Sequence, residues 1–95
     1  MTKTELVRQL AQRTDLAQSK ASEVVDALFG ATEGIIAQTL RKDGKVVIPG
    51  FGSFFRRVRK ARTARNPATG APVNVSEKNY PVFKPGKTLK DHVES

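Results

Sequence analysis

The sequence predicts an α+β fold: two N-terminal helices, a three-stranded antiparallel sheet bearing a long β-hairpin arm, and a short C-terminal helix. Three observations carry this expectation. The apolar period is helical up to about residue 40 and changes to two from Lys45. A turn signal, Asn66-Pro67-Ala68-Thr69-Gly70, lies in the middle of a stretch too basic to join a core. The charge is also split unevenly along the chain.

The 95 residues carry 17 Lys and Arg against nine Asp and Glu, a net charge of +8. Residues 1–40 hold four bases and five acids, whereas residues 41–95 hold thirteen bases and four acids. No acid lies between Asp43 and Glu77, and Arg56, Arg57, Arg59, Lys60, Arg62 and Arg65 fall within ten residues. Such an excess points to a polyanionic partner, nucleic acid first and an anionic membrane second.

In the first helix, Thr2 and Glu5 form a capping box and Leu6, Val7, Leu10 and Ala11 make one apolar stripe. A break follows at Thr14–Ala17. The second helix is expected to run unbroken through Val24, Val25, Leu28, Phe29, Ile35, Ile36 and Leu40, with Gly30 and Gly34 allowing close packing. Arg41, Lys42 and Gly44 mark its end. Lys45–Pro49 is a short strand, Gly50-Phe51-Gly52 a turn, and Ser53–Arg59 or beyond a second strand. The return strand begins at Val73 and Val75 and runs toward Tyr80–Phe83; Pro85-Gly86 ends it, and Lys87–Val93 is the terminal helix. The chain reads as a single domain over 1–95: a helical dimerisation base (1–44), a sheet (45–83) with its arm at about 56–75, and the C-terminal helix (84–95). Without the arm, about 75 residues remain to build a body, too few for a comfortable monomer. A dimer is therefore expected, its faces covered by a second copy, or by a paralogue in a heterodimer.

Chemistry is nearly excluded. There is no Cys, one His and one Tyr, so thiol nucleophiles, disulfides and thiolate metal sites are ruled out. No catalytic constellation, metal site, cofactor motif or small-molecule substrate pattern is present, and the arm lacks the acids that a metal-dependent nuclease would need. Asp91, His92 and Glu94 read as a solvated helix face, not as ligands. No apolar run suits a membrane span and no apolar leader opens the chain, so a cytoplasmic protein without a membrane partner is expected.

At Gly50-Phe51-Gly52-Ser53-Phe54, at Arg62-Thr63-Ala64-Arg65-Asn66-Pro67-Ala68-Thr69-Gly70 and at Pro81-Val82-Phe83-Lys84-Pro85-Gly86-Lys87-Thr88-Leu89-Lys90, the chain resembles the bacterial HU/integration-host-factor family of histone-like proteins. The resemblance covers essentially the whole chain. It implies an intertwined dimer, associated with the bacterial nucleoid, whose two arms reach around double-stranded DNA in the minor groove. It places phosphate or groove contacts at Arg57, Arg59, Arg62, Arg65 and Asn66, an intercalating wedge at Pro67, and flanking phosphate contacts at Lys3, Lys84, Lys87 and Lys90. The chain departs from the family pattern at Ala64, where Gly is commonest, at Phe55, where a polar residue is usual, and at Ala17, where a Ser cap is common. Its Gly-Phe-Gly turn also comes about four residues late, which reads as one added turn of the second helix.

The function expected is architectural: binding, bending and compacting DNA with little sequence preference. A sequence-preferring integration-host-factor-like protein is the near alternative. A basic RNA-binding module is a more distant one, since no aromatic residue lies between Arg56 and Thr69 to stack on bases. A structural subunit that needs no DNA is the last.

Overall fold

The computed structural model describes all 95 residues, Met1–Ser95, in the order α1 (Lys3–Thr14), α2 (Gln18–Phe29), α3 (Ile35–Lys42), β1 (Lys45–Ile48), β2 (Gly52–Arg59), β3 (Arg62–Arg65), β4 (Pro72–Val75), β5 (Lys78–Pro85), α4 (Lys87–Glu94). Two compact units divide at Lys42/Asp43. No helix is long and apolar enough to cross a membrane.

In the helical unit, α1 begins at Thr2, whose hydroxyl accepts the Glu5 N–H at 3.5 Å. Only this half of the capping box forms. The Glu5 carboxylate turns instead to Arg8 at 3.1 Å and accepts from the Gln9 amide at 3.4 Å. Asp15 ends the helix with φ 57°, in the left-handed region that short polar side chains tolerate. Ala17 opens α2 without a side-chain cap.

The expectation of an unbroken second helix is wrong. Helix α2 stops at Phe29 and α3 starts at Ile35. The reason lies in the two glycines. Gly30 leaves helical geometry at φ −53°, ψ 132°, and the chain closes a tight turn in which the Gly34 N–H donates to the Gly30 carbonyl at 3.1 Å. A Cβ on Gly34 would stand 2.6 Å from both N and O of Gly30, and one on Gly30 would stand 2.7 Å from the Asp26 carbonyl oxygen. Only glycine permits that approach. The four late residues are thus taken up as a turn, not as a helical repeat.

In the second unit, β1, β2 and β5 form the expected three-stranded antiparallel sheet in the order β1-β2-β5, with Phe55 opposite both Lys45 and Val82. Pro49 and Gly50 make the β1–β2 turn, closed by the Phe51 N–H on the Ile48 carbonyl at 3.0 Å; Gly50 takes φ 80°, as its place in a type II turn requires. Helix α4 is tied to that turn by the Leu89 N–H on the Gly50 carbonyl (3.1 Å) and the Gly86 N–H on the Phe51 carbonyl (2.8 Å). The arm is a separate ladder, β3 with β4, in the same register as β2 with β5. The long outgoing and return strands are therefore each interrupted, at Lys60-Ala61 and at Ser76-Glu77, without a slipped residue.

Phe51, Phe54 and Phe83 meet, with centroids 5.8 Å (Phe51–Phe83) and 4.9 Å (Phe54–Phe83) apart. They do not form a closed core. The only buried hydrophobic residues are Ala11, Ala21 and Val25, while Phe29 is 56% exposed, Ile35 58%, Phe51 48% and Phe83 42%.

Candidate nucleic-acid interface

Strand alternation sorts the side chains of the sheet into two faces, because directly opposed residues of an antiparallel pair point the same way. One face holds Phe54, Phe83, Val46 and Arg56, and the Arg56 guanidinium sits beside Gly44. The other holds Lys45, Arg57, Arg59, Lys78 and Lys84 with Val47, Ser53, Phe55, Tyr80 and Val82. That second face displays five cations and no acid. Its arginines are not drawn into ion pairs with carboxylates; Arg59 instead lies over the Tyr80 ring, 5.5 Å from its centroid, and Lys45 Nζ lies 5.7 Å from that of Phe55.

Of the residues expected at the interface, Arg57, Arg59 and Lys84 thus share one face. Lys45 and Lys78 join them and were missed, since their membership depends on strand register; counting alternation back from Arg57 across a proposed hairpin is the signal that would have found them. Lys87 and Lys90 occupy the first turn of α4, where no acid offsets the helix dipole and the Gly86 cap supplies no side chain. Two ammonium groups beside a positive helix end are unfavourable until an anion arrives.

On the arm, Arg62 is opposite Val75 and Arg65 opposite Pro72. Three residues apart on one strand, the two arginines project to opposite sides of the ribbon. The tip is well specified. The Asn66 side-chain oxygen accepts the Ala68 N–H at 2.8 Å, the Gly70 N–H donates to the Asn66 carbonyl at 2.7 Å, and the Asn66 N–H donates to the Ala71 carbonyl at 2.9 Å. Gly70 takes φ 71°. Asn66 therefore spends its carboxamide oxygen on the turn and keeps its NH₂ for a partner. Pro67 is exposed at the apex.

Lys3 belongs to the helical unit and is paired with Asp26. Both side chains are more than half exposed, so this pair contributes little and its ammonium can exchange to a phosphate.

A cationic sheet face continued by a narrow, two-sided basic ribbon with a rigid tip defines a protein built to grip a polyanion from a groove. Comparison with known proteins agrees. The model of the family described as bacterial DNA-binding protein matches residues 1–94, and the chain belongs to that family. It is 44% identical over 94 residues to "DNA-binding protein HU" of Geobacillus stearothermophilus, covering 99% of this chain and all of that one. It is 43% identical to "DNA-binding protein HU-alpha" of Pseudomonas aeruginosa, covering 98% and 99%. Among solved structures it is similar to the Anabaena HU–DNA cocrystal structure, with TM-score 0.82, 33% identity and coverage of 98% and 97%.

Proposed function

We propose that this protein is a histone-like architectural protein that binds double-stranded DNA with little sequence specificity, and bends and compacts it in the bacterial nucleoid. The observation that carries this reading is the acid-free cationic face with its basic arm. Each Lys or Arg that meets a phosphate releases condensed counterions, and that gain is indifferent to sequence. The minor-groove mode is the one for which the family itself is a standard example, and that groove offers only a degenerate code. Binding, not catalysis, is the activity: no carboxylate, His or Cys lies between Asp43 and Glu77 to ligate a metal there.

Within the chain, Arg57, Arg59, Lys84, Lys87 and Lys90 take phosphates on the body. Lys3 adds a flanking contact, and Arg62, Arg65 and Asn66 line the groove from the arm. Pro67 parts a base step. The 1–95 domain acts as a dimer with residues 1–44 as its base, because a chain that buries only two alanines and a valine leaves its aromatic surface to a second copy. Sedimentation at micromolar concentration will show a dimer, and unfolding will depend on protein concentration; a stable folded monomer would overturn the two-armed arrangement.

The DNA reading is tested by band shift on linear, nicked and four-way-junction DNA at two salt concentrations, where all three are expected to bind and the predistorted ones best. Pro67→Ala tests the wedge. Affinity for linear duplex will fall modestly because every cation remains, while the bend, roughly 20–90° for such wedges, will shrink. Asn66 and Gly70 hold the turn without the proline ring. Energy transfer across an end-labelled duplex at saturating protein reads the bend, and an unchanged bend would leave Pro67 as a turn residue only.

A further inference from the structure

The cationic face of the sheet also carries an apolar strip that its charge does not explain. Val47, Phe55, Val82 and Tyr80 cross all three strands on the same side as Lys45, Arg57, Arg59, Lys78 and Lys84. Val47 is 55% exposed, Tyr80 is exposed, and Phe55 and Val82 are half-buried. The three phenylalanines that cluster, Phe51, Phe54 and Phe83, are a different set, Phe54 and Phe83 lying on the opposite face. Phe55 and its neighbours are thus surplus to that cluster, and cations surround them.

We propose that this strip packs against the deoxyribose edges of duplex DNA and gives the interface a salt-independent share of its affinity, with Phe55 at its centre. This rests on the DNA-binding reading above and names which side chains supply the part of the energy that counterion release does not. Charge complementarity selects the occupant: only a polyanion sits against five unpaired-with-acid cations, and the apolar surface a DNA duplex offers between its phosphates is the sugar. The ring geometry argues against the other aromatic use, stacking on unpaired bases. Stacking needs an open ring face, and on one face of each ring a cation already competes with a base, Lys45 over Phe55 and Arg59 over Tyr80. Ring edges and the valine methyls remain free to meet sugar carbons, while the same lysine and arginine reach past them to the flanking phosphates.

Apolar burial and counterion release separate cleanly in a salt titration. The slope of log K against log salt counts phosphates, whereas contact with sugars appears in the value extrapolated to molar salt, where little electrostatic gain remains. Association constants for a linear duplex are measured over a salt series for the parent, Phe55→Thr and Phe55→Leu. Phe55→Thr will keep the parental slope and lose about tenfold in the extrapolated constant per dimer, the size expected when two phenyl groups lose part of their burial. Phe55→Leu, still apolar, will stay within about twofold of the parent on the same burial scale. Should the Thr variant prove unfolded by circular dichroism, Tyr80→Thr reports on the same strip with the same expected direction. An extrapolated constant equal to the parent's in the Thr variant overturns the proposal. So does a Leu variant as weak on duplex as the Thr variant, which would make the aromatic ring itself, not apolar burial, the source of the affinity. Failure of the parent itself to bind duplex at low salt would instead remove the DNA reading, a result distinguishable from either.

Discussion

Affinity for linear duplex will fall about 10⁴-fold between roughly 50 and 200 mM monovalent salt, and replacing Arg62 and Arg65 together by alanine will flatten that dependence. The size follows from how many cations are free to meet phosphate. Arg57, Arg59, Lys84, Lys87 and Lys90 of each protomer, with the arm arginines, are not drawn into ion pairs with acids, so binding does not have to break internal pairs first. If a dimer neutralises on the order of eight phosphates, the log–log slope is roughly −7. The two arm arginines project to opposite sides of the ribbon, one toward each wall of a groove, so each protomer loses two contacts in the double variant. Four fewer phosphates per dimer make the slope shallower by roughly three to four, on every DNA sequence alike. Fluorescence anisotropy of a labelled duplex across a salt series measures both slopes. Equal slopes would show that the arm carries no phosphate contacts and that the sheet face does all the binding.

What the sequence made legible follows from which physical signals are local. The arm was plain because six bases without an acid cannot be core, and Asn66-Pro67 with Gly70 specifies a turn whatever surrounds it. The sheet was plain from alternation alone. The break between α2 and α3 was not, although both glycines were visible. Hydrogen bonds from Gly30 to Asp26, Gly34 to Gly30 and Gln38 to Gly34 step along the chain every four residues through the turn. Ile35, Ile36 and Leu40 therefore continue the apolar phase of Val25, Leu28 and Phe29, and periodicity reports a helix that the backbone interrupts. The glycines were read as relieving contact between helices, when what they relieve is contact with each other. Membership of the cationic face was only half legible, for a different reason. Arg57 and Arg59 announce themselves by density, but Lys45 and Lys78 join them only through the pairings Lys45–Phe55 and Arg59–Lys78, and register is a tertiary fact. Phe55 stood out in the sequence only as a departure from the family's usual polar residue; its parity with Arg57 in β2 places it on the cationic face.

Gly52→Ala will be among the most destabilising single substitutions in the chain, more so than Gly50→Ala two residues earlier, although Gly50 is the one with a left-handed backbone. At Gly50 nothing lies within 4 Å of an added Cβ, so alanine meets only the conformational penalty of φ 80°, about 1–2 kcal/mol. Gly52 is buried at the start of β2, and its obstacle is steric. An added Cβ would stand 2.6 Å from a ring carbon of Phe83 and 2.7 Å from the Lys84 carbonyl oxygen. The ring could turn aside, but it is already packed on Phe51 and Phe54, and turning breaks the only aromatic cluster the sheet has. The carbonyl cannot move without pulling β5 away from β2 at the Gly52–Pro85 pair, and β5 leads directly into α4, which hangs on the Gly50 and Phe51 carbonyls. Overpacking of this kind costs roughly 1–3 kcal/mol, occasionally more, and here it strikes a ring and a backbone atom together, so about 3 kcal/mol is expected. For a small domain of marginal stability that corresponds to a fall on the order of 15–20 °C in melting temperature. Thermal melts followed by circular dichroism, at one protein concentration for parent, Gly50→Ala and Gly52→Ala, give the ranking directly. If Gly52→Ala melts within a few degrees of the parent and above Gly50→Ala, the sheet yields at this point, and the approach of Phe83 to the Gly52 backbone is not what fixes β5 against β2.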